Sequence, residues 1–263
     1  MNDITAFFLG IIQGLTEFLP VSSSGHLELF KAFFTSQTLP EESLLFTIVL
    51  HGATALSTVV VFRKDIYFLV HEVFRFKRNP SFYFCLYVLI SMFPAAFIGV
   101  FYTEIIAQFF NQNVLVVGSM LWITGGLLFL ADKAKPSKKI INLKSATLIG
   151  IAQAIAIIPG ISRSGMTIAT GVLLGIDKEK AARFSFLMVI PLIFGSMAKS
   201  LMDIDFNSIE LALKPLCIGF ITACLTGIVA CQWMIAMVKN AQLRYFSFYC
   251  FIIGTLAILS QVL

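Results

Sequence analysis

The lengths of the apolar runs constrain this chain more than any other feature. Crossing a hydrocarbon core takes roughly 20 helical residues, and six runs suffice, at about 44–62, 82–103, 113–131, 181–201, 211–237 and 245–263. Two others, residues 4–19 and 145–158, are shorter and run into Pro20 and Pro159, which disfavour continuing a helix. Each is followed by a second short apolar run, 27–34 and 166–176, so each pair reads as a hairpin that enters the bilayer and leaves on the same side. Non-helical backbone at that depth is tolerated only where protein or a water-filled cavity satisfies it.

Composition agrees. The chain is 58% hydrophobic and 13% charged, with a mean hydropathy of +0.91, outside the range of soluble domains. Cys85, Cys217, Cys224, Cys231 and Cys250 lie inside apolar runs with no CxxC or Cys/His spacing and read as packing residues; 217, 224 and 231 recur every seven residues and mark one helix face. A cleaved signal peptide over residues 4–24 is not expected, because no Lys or Arg precedes Lys31 and Asp3 stands where a basic region belongs. The net charge of +5 does not indicate nucleic acid, since the basic residues sit in short loops without interleaved aromatics.

Those loops test the hairpin reading. If both short pairs are re-entrant, 15 Lys and Arg residues fall on one side and three, Lys31, Lys199 and Lys214, on the other, with Arg163 inside the membrane. A full crossing by residues 145–176 would give 12 against 6. The positive-inside rule prefers the first arrangement. It puts both termini and the acidic loops around Glu41, Glu42, Asp203, Asp205 and Glu210 outside.

The chain also repeats itself. GIIQGLTEFLPVSSSG at 10–25 and GIAQAIAIIPGISRSG at 150–165 align at a constant offset of 140, matching Gln13 with Gln153, Ser22 with Ser162 and Ser24 with Ser164. Each half carries three spans, an odd number, so the second copy lies upside down. The expected fold is one all-α integral membrane domain, 1–263, with six transmembrane helices and two re-entrant helical hairpins arranged as inverted-topology repeats. Halves 1–133 and 145–263 are joined by a basic cytoplasmic linker, 134–144, and facing broken helices meet near the midplane.

Polar residues gather at the two breaks. Gly10, Gln13, Gly14 and Glu17 fall at i, i+3, i+4 and i+7, a narrow stripe of small and polar residues that must face protein. Burial and the negative helix end both disfavour charge on Glu17 unless a cation or donor answers it, which suits a metal ligand or general base. Ser22, Ser23, Ser24 and Gly25 open a new helix with hydroxyls and free N–H groups that bind anions, though a plain N-cap would use one of them. His26 follows within reach of a serine oxygen, a nucleophile-plus-base arrangement. The second copy supplies Arg163 between Ser162 and Ser164, flanked by Gly160 and Gly165. A buried arginine needs an anionic partner; Glu17 or a phosphate, whose oxygens match the guanidinium fork, would serve. His51 is a further intramembrane ionisable group, equally readable as packing. The site reads as a polyanion pocket for a lipid phosphate or pyrophosphate.

QGLTEFLPVSSSGH and PGISRSG closely resemble the two signature motifs of the bacitracin-resistance type undecaprenyl-diphosphatases, and repeat, span count and spacing extend the likeness over essentially the whole chain. The resemblance implies hydrolysis of undecaprenyl diphosphate to the monophosphate at the outer face of the bacterial cytoplasmic membrane, recycling the lipid carrier for peptidoglycan synthesis. It implies Glu17, Ser23, His26 and Arg163 as catalytic residues, with Gln13, Ser22, Ser24, Gly25, Gly160, Ser162, Ser164 and Gly165 lining the substrate. Metal binding by Glu17 and Gln13 is implied too, with Mg²⁺ or Ca²⁺ as cofactor. The family often has glutamate where this chain has Gln13, which leaves Glu17 the only acidic ligand of the first motif. The partners expected are a polyprenyl diphosphate lipid, the bilayer and a second copy of the chain, with no nucleic acid. A secondary transporter or flippase for a polyprenyl phosphate lipid is the rival, since it shares the inverted repeat but needs no nucleophile.

Overall fold

The structure, a computed structural model, describes residues 2–34, 40–75, 79–102, 106, 113–135, 137–203, 213–239 and 242–262. Lys77, Arg78, Asp205 and Glu210 lie outside them, and the side chains of Glu41, Glu42 and Asp203 are not described. Among the described residues eleven α-helices form and no strand does. In chain order they are α1 (Asp3–Phe18), α2 (Ser23–Phe34), α3 (Pro40–Val61), α4 (Arg63–Val73), α5 (Pro80–Phe101), α6 (Val114–Asp132), α7 (Leu143–Ile155), α8 (Arg163–Leu173), α9 (Lys178–Asp203), α10 (Leu213–Lys239) and α11 (Leu243–Val262). Five are long and apolar enough to span a membrane, and α3 with α4 adds a pair bent by 77° at Phe62. The sequence reading ended that span at Phe62, because RKDIYFLVHEV is too charged to continue an apolar run.

Both short apolar segments break where proline predicts. Helix α1, N-capped by the Asn2 side chain, stops at Phe18, and Leu19 is extended at φ −69° and ψ 141°, as a residue before proline prefers. Helix α7 starts from a capping box of Asn142 and Ser145 and stops at Ile155, four residues before Pro159. Each is followed by a second short helix, α2 or α8, packed back against it.

Packing follows the small residues. Helix α1 lies along α10, and α7 lies along α5, the same pairing with the halves exchanged. Along α1 the stripe Gly10, Gln13, Gly14 and Glu17 is buried, as its spacing required. A Cβ on Gly14 would lie 2.6 Å from the Ala223 carbonyl oxygen, so the two helices pack at backbone distance, the contact that small residues permit where lipid supplies no hydrophobic drive. Large apolar side chains instead point outward, among them Leu89, Phe93, Val229 and Leu256, while Gln13, Thr54, Ser57, Ser91 and Ser247 are fully buried.

Charged side chains tie helix ends together. Asp3 pairs with Lys214 at 2.6 Å, Asp65 with Arg183, and Asp132 accepts from Arg244 N at 3.3 Å.

Candidate active site

The two breaks, Leu19 to Ser22 and Ala156 to Ser162, meet tip to tip. Ser22 Oγ donates to the Ile161 carbonyl at 3.4 Å, and Ser164 Oγ donates to the Leu19 carbonyl at 3.2 Å. Equivalent serines cap the two following helices: Gly25 N donates to Ser22 Oγ at 3.2 Å and Gly165 N to Ser162 Oγ at 3.0 Å. Ser24 and Ser164 approach these caps at 3.4 and 3.2 Å. The capping hydrogen bonds of the two tips match, although Ser22 takes φ +70° and Ser162 φ −74°.

Backbone strain shapes both tips. Gly160 takes φ +93°, and a Cβ there would lie 2.5 Å from the Val117 carbonyl oxygen, so only glycine fits. Ser22 takes φ +70° without being glycine, a conformation that costs free energy and clusters at functional sites. Thr124 of α6 braces the second tip: its Oγ1 donates to the Gly160 carbonyl at 3.2 Å and accepts from Ser162 N at 3.1 Å.

Glu17 is the hub. One carboxylate oxygen pairs with Arg163 Nη2 across the two tips. The other accepts from Ser23 Oγ at 2.6 Å and from Gln13 Nε2 at 3.0 Å, and Gln13 Nε2 also lies 3.5 Å from Thr54 Oγ1. Glu17 thus supplies an anionic partner for Arg163. Because Arg163 begins α8, its side chain remains partly exposed while Glu17 is buried. Thr58 and Ser185 join Glu17, Arg163 and Ser164 around a small cavity beneath the pair.

His26 does not contact Ser23. Its Nδ1 is 2.8 Å from the Ser22 carbonyl oxygen and its Nε2 is 2.8 Å from the Tyr249 hydroxyl. The serine oxygen within its reach is thus the Ser22 carbonyl, and Ser23, turned back over the last turn of α1 by the reversal at Ser22, bonds to the Glu17 carboxylate. His51 lies on α3, where its carbonyl accepts from Thr54 Oγ1 at 2.9 Å. Sequence reasoning missed Thr54, Thr58, Thr124 and Tyr249, single polar residues in apolar helices with no motif around them. Gln153, the repeat partner of Gln13, is buried with neither amide atom hydrogen-bonded.

For a divalent cation the donor set is sparse. No group of three or more His, Cys, Asp or Glu side chains forms among the described residues. The Gln13 amide oxygen, however, is buried without a partner, one turn from Glu17. One carboxylate and one free carbonyl fit an ion such as Mg²⁺, which completes its shell with water and substrate phosphates.

Comparison with known proteins bears on the same residues. The family model for bacitracin resistance protein BacA matches residues 6–256, which include both tips. A protein of Christiangramia forsetii named undecaprenyl-diphosphatase is 56% identical over 259 residues, 98% of each chain. One of Parabacteroides distasonis with that name is 46% identical over all of both chains. One of Methanobrevibacter smithii, likewise named, is 33% identical over 100% of this chain and 99% of its own. A multi-pass helical chain with this matched length and these full-length relatives belongs to the bacitracin resistance protein BacA family.

Proposed function

We infer that this chain hydrolyses undecaprenyl diphosphate to undecaprenyl phosphate and phosphate, as the names of its relatives state for them. The observation that carries the mechanism is that Glu17 holds Arg163 and Ser23 together, joining an anion clamp, a base and a hydroxyl nucleophile. The diphosphate draws Arg163 away from Glu17, because the guanidinium fork matches phosphate oxygens, and the first-turn N–H groups of α2 and α8 with the half-buried Ser24 hydroxyl complete the cradle. Freed of its cation, Glu17 accepts the Ser23 proton at the 2.6 Å contact. Ser23 Oγ bonds to the terminal phosphorus, and the bridging P–O bond breaks with its electrons passing to the departing monophosphate. A water then attacks the phosphoserine and its proton passes to His26, while the P–Oγ bond breaks, Glu17 returns a proton to the Ser23 oxygen and inorganic phosphate departs. Most of the rate enhancement comes from positioning and charge stabilisation.

Gln13 Oε1 and Glu17 are the residues that would hold a divalent cation, Mg²⁺ or Ca²⁺, which when bound offsets charge on the phosphates. The two halves form inverted repeats joined by the basic linker, and the pocket opens to the outer face; the charge partition supports the sidedness. A membrane-impermeant thiol reagent reacting with Ser24→Cys in intact cells tests it. A homodimer would bury the outward face of α5, with Leu89 and Phe93 exposed at 62% and 70%, and cross-linking in membranes tests that. A carboxylate-coupled serine and relatives named as diphosphatases give the transporter reading no support.

Acid quenching of enzyme with terminally labelled substrate decides the nucleophile. Labelled protein is expected from wild type and none from Ser23→Ala, whose turnover should fall by at least about a thousandfold, the scale of losing a nucleophile. Label on Ser23→Ala would overturn the assignment.

A further inference from the structure

Tyr249 belongs to neither hairpin and to no motif, yet it makes the outer contact of His26. Its hydroxyl is 2.8 Å from Nε2, and the two rings are nearly parallel at 13° with centroids 5.6 Å apart. On the far side of the imidazole, Nδ1 is 2.8 Å from the Ser22 carbonyl oxygen. A carbonyl only accepts, so Nδ1 carries the proton, and the neutral ring presents a lone pair at Nε2 that a donor must satisfy. Tyr249 O–H is that donor. Two fixed partners on opposite edges set both the tautomer and the rotation of the ring, as second partners do for imidazoles that ligate or transfer protons.

The tyrosine is itself rigidly placed. Helix α11 packs along α6, Ser247 Oγ donates to the Gly125 carbonyl at 2.7 Å, and Cys250 Sγ lies 3.7 Å from the Pro20 carbonyl oxygen. One turn of α11 therefore braces the first tip at Pro20 and at His26 together. Hydroxyl and ring contribute separately: the ring stacks on the imidazole, while the oxygen alone donates to Nε2.

We propose that Tyr249 is the proton relay of the hydrolytic step, donating its O–H to Nε2 of the Nδ1–H tautomer of His26 while its oxygen takes the proton of the attacking water. This rests on the reading of His26 as the base for water. A tyrosine that only filled space would do so equally well as phenylalanine.

The test is steady-state hydrolysis of a polyprenyl diphosphate in detergent by wild type, Tyr249→Phe, His26→Ala and the double variant. Tyr249→Phe should lower kcat by about five- to tenfold, what one well-placed hydrogen bond supports, with KM changed by less than about twofold because the residue touches His26 rather than lipid phosphate. In the His26→Ala background the same change should have no further effect. Equal kcat for Tyr249→Phe and wild type, a loss confined to KM, or full additivity with His26→Ala each overturns the proposal. So does recovery of monodisperse Tyr249→Phe below half that of wild type, which would make the hydroxyl a folding contact. Wild-type turnover by His26→Ala would remove the base role and this inference with it, whereas an inactive His26→Ala beside an unaffected Tyr249→Phe would remove the inference alone.

Discussion

Removing Arg163 should cost this protein more stability than neutralising Glu17, although the two form one ion pair. The Glu17 side chain is 5% exposed and that of Arg163 22%, so Arg163→Ala strands a carboxylate away from water, whereas Glu17→Gln leaves a guanidinium that already reaches it. Deleting one partner of a buried pair costs about 3–5 kcal/mol, most of it from the charge left behind. Arg163→Ala should fall in that range, softened only by the donors from Ser23 and Gln13, and Glu17→Gln at roughly half of it. The double variant carries neither charge, so its loss should be smaller than that of Arg163→Ala alone and far below the sum of the singles. Thermal denaturation in detergent, read as monodisperse protein recovered after heating, ranks the three. At roughly 2–4 °C per kcal/mol for a chain of this size, Arg163→Ala should lie about 6 °C or more below wild type. Phosphate release separates stability from catalysis: an arginine on a transferring phosphoryl group is worth about a thousandfold or more, so the double variant should be as inactive as Arg163→Ala despite being more stable. Stability losses that simply add, or Arg163→Ala turning over within tenfold of wild type, would refute the reasoning.

Gly160→Ala places a methyl against the Val117 carbonyl at a positive φ, a strain of about 1–3 kcal/mol before the clash is counted; yield and thermal stability should both drop, and an unchanged melting profile would count against the tip geometry. Gln13→Glu puts a second carboxylate beside Glu17, where the amide now donates at 3.0 Å. Its phosphate release should become more dependent on added Mg²⁺ than that of wild type, and an EDTA titration matching wild type would show that residue 13 does not face the ion.

The break points and the buried stripe on α1 were legible because each rests on local rules: proline stops a helix, and small and polar residues at helical spacing face protein. The Glu17–Arg163 pair was legible as a demand, since a buried arginine must find an anion, but the sequence left open whether protein or substrate supplies it. Three features were out of reach. The coupling of Ser23 to Glu17 depends on the positive φ of Ser22, which nothing in VSSSG announces. Helix α4 is too polar for a span and too amphipathic for a loop, so a reading by apolar run length passes over it. Thr124 and Tyr249 act on the tips from helices α6 and α11, and a lone threonine or tyrosine in an apolar helix carries no mark of what it will touch.

The meeting of the two tips has a consequence for how such a pocket arises. Two identical copies facing one another through a twofold axis would present the same residue from each side, either two carboxylates or two guanidiniums. Here position 17 is Glu where its counterpart, 157, is Ile, and position 163 is Arg where its counterpart, 23, is Ser. With both sides in one chain, positions 17 and 163 vary independently, so opposite charges can meet across the seam.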